Sequence, residues 1–207
     1  MDLSNLPSVC EVYGLDDSAN VGYLFALFMC RDVNSLWIEK GPTNTIKRST
    51  QLGHDLRTMF IQRIESLQAL VSCFRLKLTS KLTREHQIKI IVINRFSDYY
   101  EDAKESKESL ASIDALLADF KRAYIKYRIH TIIINTAKKT LFPYEHVRPF
   151  FTSAQWRNMI PAQFLIEPQG FSATHLRVIV QKPTATPPHE FTIPNLAHNP
   201  PPKANKV

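Results

Sequence analysis

The sequence predicts a single α/β domain: a mostly parallel sheet flanked by helices, with an antiparallel edge toward the carboxyl terminus. Three observations carry this. Short β-branched runs alternate with long helical stretches along the first two thirds of the chain. One of those runs, IKIIVI at residues 88–93, is almost continuously apolar, as a strand covered on both faces should be. Three more strand-like runs then follow with no helix between them, a spacing that suits antiparallel neighbours.

Taken in order, residues 8–13 read as the first strand and residues 19–30, rich in Leu, Phe and Ala, as the helix behind it. Residues 35–39 (SLWIE) form a second short strand. From residue 53 to about 81, Leu56, Phe60, Ile64, Leu67, Val71, Phe74 and Leu78 recur at spacings of three and four, which predicts one long amphipathic helix. IKIIVI gives the central strand. Residues 109–127 give a second long helix, with Leu110, Ile113, Leu116, Leu117, Phe120 and Tyr124 along one side. Residues 131–134 (TIII) are another buried strand. Beyond Asn135 a stretch containing prolines and aromatics runs to Ile160, ahead of short strands at 163–166, 175–181 and 190–193. The domain is assigned to residues 1–197 and a disordered tail to residues 198–207, because four of the thirteen prolines fall in the nine residues from Pro194.

Composition narrows the classes. A chain of 207 residues, 44% hydrophobic, can bury one sizeable core. It holds no run of eighteen apolar residues, so no membrane span is expected, and MDLSNLPSVCEVYG lacks the basic and apolar parts of a signal peptide. Cys10, Cys30 and Cys73 are widely spaced among apolar residues and read as buried, reduced thiols of an intracellular protein. No Cys/His cluster suggests zinc, and neither metal nor cofactor is expected. The net charge of +7 is unevenly spread. Residues 1–39 hold one basic residue, Arg31, against six acidic ones, a net −5, which leaves the rest at +12. A basic body of that size is compatible with a polyanion partner.

The chemistry of an α/β sheet belongs at the carboxyl ends of its strands, often in the turn after the first one. Here that turn is GLDDSANV, Gly14 to Val21, lying between a strand and an apolar helix. Strand, loop and helix are in the order of a phosphate-binding P-loop, which requires Gly, four residues, then Gly, Lys and Ser or Thr. Only Gly14 fits. Ala19 stands where a glycine lets the backbone approach phosphate. Asn20 stands in place of the phosphate-binding lysine, and Val21 in place of the hydroxyl that ligates magnesium. Asp16 and Asp17 add negative charge where a triphosphate would lie. The carboxylate that orients the metal at the end of the central strand is replaced by Asn94. The sequence therefore predicts a pseudo-ATPase with no catalytic residue. No GxSxG motif or paired carboxylates suggest another enzyme.

With those residues in view, the chain resembles the eukaryotic RecA-like recombinase paralogues over roughly residues 8–197. EVYGLDDSANVGYLFALFM is similar to their first strand, P-loop and helix, and IIVINRFSDYYED to the second nucleotide strand and the start of the first DNA-binding loop. TIIINTAKK resembles the strand that ends in an amide and opens the second DNA-binding loop. Trp156 through AQFLIE, then THLRVIVQKPTATPPHEFTI, resembles the closing β segment. The small RecA-like subunits of the Shu complex, which consist of the core alone, look most similar. The resemblance implies a RecA-like P-loop core and a nuclear, non-catalytic role in homologous recombination repair. Its implied partners are another RecA-like paralogue, further Shu-type subunits, the recombinase filament and single-stranded DNA.

The first strand begins almost at Met1, so the N-terminal DNA-binding domain and polymerisation linker of the recombinases are not expected. A heteromer is expected instead. The family's Phe-x-x-Ala plug pattern occurs at Phe151 to Ala154, downstream of the core strands and out of its usual linker context.

The candidate DNA-binding residues are Lys138, Lys139, Arg148 and Arg157, in the segment matching the second DNA-binding loop, with Tyr144, Phe150 and Phe151 available to stack on bases. Against this stands a solvated loop whose aromatics pack on core or partner. Lys104 and Lys107 are offset by neighbouring acids and read as a solvated helix start. Arg57, Arg63, Arg75, Lys77, Lys81 and Arg84 read as a solvated helix face, His54 and Asp55 as a helix cap, and Trp37, Trp156 and residues 23–28 as core. Two other functions compete: a scaffold subunit of an Elongator-type tRNA-modification complex, whose RecA-like subunits also lack P-loops, and an ATPase with an unusual pocket.

Overall fold

The apolar runs become strands wherever a helix can cover them. A computed structural model describes residues 6–14, 21–41, 45–75, 84–103, 107–136, 138–140, 146–148, 154–168, 175–182 and 190–195. Strand β1 (Val9–Gly14) leads to helix α1 (Val21–Met29), β2 (Ser35–Glu39), α2 (Thr45–Gln51), β3 (Met59–Arg63) and α3 (Leu67–Arg75). Next come β4 (Ile90–Ile93), α4 (Phe96–Ala103), α5 (Lys107–Tyr127) and β5 (His130–Thr136). A short ribbon of β6 (Lys138–Thr140) and β7 (His146–Arg148) precedes α6 (Ala154–Met159), β8 (Ala162–Pro168), β9 (His175–Lys182) and β10 (Glu190–Pro194).

Eight of these strands make one mixed sheet in the order β10-β9-β8-β1-β5-β4-β2-β3. From β8 to β3 all neighbours are parallel, while β8–β9 and β9–β10 are antiparallel. The predicted antiparallel edge thus starts at β9. The run at 163–166 belongs to β8, which is parallel to β1 on its inner side. β6 and β7 form a separate antiparallel pair, so the segment read as a basic loop contains a ribbon.

The core has one layer on each face of the sheet. Alternate residues of the central strands, such as Val92, Ile132 and Ile134, pack with Tyr23, Leu24, Phe25 and Leu27 of α1. The intervening residues, such as Ile91, Ile93 and Ile133, pack with α3, α4, α5 and α6. Every residue of β2 and β4 is buried, which explains the unbroken apolar character of β4. On α5, Ile113, Leu116, Leu117, Phe120 and Ala123 are buried at three- and four-residue spacing, and Phe120 meets Phe74 of α3 edge-on at 4.9 Å. Full burial of a large apolar side chain is worth about 1.5–3 kcal/mol, so this stripe dominates the energetics of α5.

The long helix expected over residues 53–81 does not form. Asp55 instead caps a 3-10 turn at Leu56–Thr58, β3 follows, and α3 is short. β3 has the β-forming Met-Phe-Ile sequence and lies against the otherwise unpaired side of β2, with Trp37 in register with Ile61. Backbone pairing there overrides the helical spacing. Of the stripe's described residues, Ile64, Leu67, Val71 and Phe74 are buried, and Leu56 is 37% exposed. Ser66 restarts the helix, accepting the Ala69 N–H at 3.2 Å. Leu78 and Lys81 lie outside the described residues, as does the tail from residue 196 onward.

Trp37, Trp156 and Tyr23 are buried as expected, and so are Cys10 and Cys30, whose thiols burial pushes up, that of Cys30 to about 12. Cys73 is partly buried. No helix among the described residues is long and apolar enough to cross a membrane, and no group of acidic, His or Cys residues among them is arranged to hold a metal.

Candidate functional site

The parallel strands end together, and their carboxyl edge collects the polar residues that the apolar strands exclude. Gly14 ends β1 and Val21 begins α1. Ala19 and Asn20 lie outside the described residues, as do Asp16 and Asp17. Gly22 brings α1 down onto the sheet: a Cβ there would sit 2.8 Å from Ile134 Cγ2 and 3.6 Å from Val12 Cγ1. Asn94 follows β4 two strands from Gly14, with β5 between them. Strand spacing puts those two ends about 10 Å apart. Of the residues singled out for the nucleotide site, Gly14 and Asn94 thus lie on one edge of the sheet.

Asn94 is 5% exposed and its backbone N–H donates to the Ile38 carbonyl at 2.9 Å. Its side-chain amide donates to the Glu39 carboxylate at the end of the neighbouring β2, which leaves its Oδ1 with no hydrogen-bond partner among the described residues. Glu39 is buried and also accepts from the Thr45 hydroxyl of α2. Tyr23 completes the cluster. Its hydroxyl donates to the Thr45 carbonyl at 3.0 Å and is 2.5 Å from Ser49 Oγ, while the Arg48 guanidinium lies 4.9 Å from its ring centroid. Burial holds the Glu39 carboxyl above its ordinary value, against the opposing pull of Thr45, Asn94 and Arg63.

A second polar cluster lies on the opposite face of the sheet, around Glu11 of β1. Glu11 is fully buried. Its Oε1 accepts from Asn135 Nδ2 at 2.8 Å, and its Oε2 accepts from Trp156 Nε1 at 2.8 Å and Gln163 Nε2 at 2.6 Å. Asn135 Oδ1 in turn accepts the Ser97 N–H at 2.8 Å, which satisfies a free donor in the first turn of α4. Burial raises the Glu11 carboxyl above its usual range despite the three donors.

Sequence reading did not select Glu11 or Glu39. The available signal was a lone charged residue in a strand otherwise free of charge, as in VCEVYG and SLWIE. Such an acid, once the strand is central, needs donors from its neighbours.

Of the candidate DNA residues, Lys138 and Lys139 lie on β6 and Arg148 on β7, with Lys138 in register with Arg148 and Lys139 with Val147. Arg157 lies on α6. Tyr144, Phe150 and Phe151 are outside the described residues, and of the Phe-x-x-Ala pattern only Ala154, the first residue of α6, is inside them. Asp55 is the expected cap, accepting the Arg57 N–H at 3.0 Å. Among the described residues, the carboxyl edge carries a polar network of Asn94, Glu39, Thr45, Tyr23 and Ser49.

Compared with protein-family models and with the curated proteins, this chain matches none.

Proposed function

We propose that the chain is a non-catalytic, RecA-like subunit of a heteromeric complex that helps a recombinase assemble on single-stranded DNA. The observation that carries the reading is the fate of Asn94. At the carboxyl edge, where a P-loop enzyme needs a metal-orienting carboxylate, a buried neutral amide is turned onto Glu39 of the next strand. The preceding strand, loop and helix keep P-loop order without its lysine, since Asn20 occupies that position. An enzyme of this class without either group lacks both phosphate clamp and metal site. Partner binding is what remains, and the ribbon of Lys138, Lys139 and Arg148 supplies a basic element for a nucleic-acid backbone.

Calorimetry and nucleic-acid binding test this together. The purified chain should show no Mg²⁺-dependent heat with ATP, and its complex should bind oligothymidine in preference to tRNA. Tight Mg²⁺-dependent ATP binding would remove the pseudo-ATPase reading. A preference for tRNA would move the chain to the Elongator-type class. The heteromer is tested separately: a soluble, stable monomer of the isolated chain at roughly micromolar concentration counts against it.

A further inference from the structure

The Glu11 network joins segments that are far apart in the chain. Gln163 is the register partner of Glu11 on β8, and Asn135 lies two residues beyond its register partner on β5, Ile133. Trp156 reaches the same carboxylate from α6, its ring stacked on Phe96 at 5.5 Å and 20°. Asn135 near the end of β5 and Trp156 in α6 therefore flank the part of the chain that contains β6 and β7. The two hang on different oxygens of one side chain.

We propose that Glu11 is a positioning residue that ties the end of β5 to α6 through Asn135 and Trp156 and so fixes the two attachment points between which the basic β6–β7 ribbon is spanned. A carboxylate suits this because its two oxygens offer about four acceptor sites and no donor, enough for three N–H groups at once. Glutamine has one oxygen and would turn an N–H toward donors. Simple core filling does not explain the choice, because a buried acid without a cation costs more than Leu or Met at the same place. Asn135 is held from both sides, by Glu11 and by the Ser97 N–H, so the upstream end also has a fixed orientation relative to α4. The clamp itself does not depend on what the ribbon binds; only its consequence for nucleic acid rests on the proposed function.

Hydrogen exchange on the full chain tests the clamp. Trp156→Phe keeps a ring against Phe96 and removes the indole N–H. Amides of 138–140 and 146–148 should then exchange on the order of tenfold faster, while those of β2, β3, β9 and β10 keep wild-type rates. Glu11→Gln should accelerate ribbon exchange further; if that variant does not fold, Trp156→Phe decides alone. Unchanged ribbon exchange, or equal acceleration across the whole sheet as for a merely structural residue, overturns the proposal. Labelled oligothymidine separates the two readings. Faster ribbon exchange with weaker binding supports both, whereas faster exchange with unchanged binding keeps the clamp and removes the nucleic-acid role of the ribbon.

Discussion

Asn94 and Glu39 end adjacent parallel strands, and the amide of the first donates to the buried carboxylate of the second. The bond ties these two strand ends together. It also places an acid of raised pKa where Arg63 and the Thr45 hydroxyl only partly offset the cost of burial.

That arrangement gives a signed pH dependence. Folded Glu39 keeps its proton to higher pH than the unfolded side chain, which ionises near pH 4.3. Its contribution to stability is full below the unfolded value and is lost as pH rises through the folded one. Glu39→Gln should therefore flatten the fall in stability from about pH 4 upward, measured by denaturant unfolding at several pH values. Glu11 has the same sign, so some slope should persist. A variant that loses stability as steeply as wild type would show that Glu39 ionises freely in the fold.

His54 works in the opposite direction. Burial, aided by Arg31, lowers its pKa, and its Nε2 has no hydrogen-bond partner among the described residues. The unfolded chain takes up a proton near pH 6.5 that the folded chain resists. The His54 contribution to stability should be lost as pH drops below about 6.5, and His54→Gln should remove that component from the pH profile. Parallel curves for the two proteins would refute it.

Gly22 is a packing prediction. An alanine Cβ would lie 2.8 Å from Ile134 Cγ2, a stiff β-branched side chain on a central strand. Gly22→Ala should cost about 1–3 kcal/mol of overpacking, more than the helix-propensity gain returns. Chemical denaturation measures it, and a stabilised variant would mean α1 shifts freely.

The ribbon supplies the electrostatic prediction. If Lys138 and Lys139 contact phosphates, changing both to Ala should weaken oligothymidine binding regardless of base sequence. The salt slope should fall by roughly 0.7 per lost contact. Heteromer assembly should be unchanged. An unaltered slope would make β6 and β7 a protein-facing surface.

Most strands were legible as short apolar runs; IKIIVI and TIII read as buried strands on that ground, whereas SLWIE carries a serine and an acid. Helix α5 was legible for the complementary reason, its buried stripe repeating at helical spacing. Residues 53–81 were misread because three- and four-residue spacing also occurs where a 3-10 turn, an edge strand and a short helix abut. Periodicity does not register an empty strand edge waiting at β2.

What the sequence by itself determined was local: which runs are apolar enough to be covered, and that Ala19, Asn20, Val21 and Asn94 do not carry the groups a P-loop site would require. Only the tertiary structure decided which side chains meet. Glu11 and Glu39 looked like charges in the linear chain, and folding made each the centre of a buried network. The donors of Glu11 come from residues 124, 145 and 152 positions away, a proximity that strand order creates and no local pattern encodes.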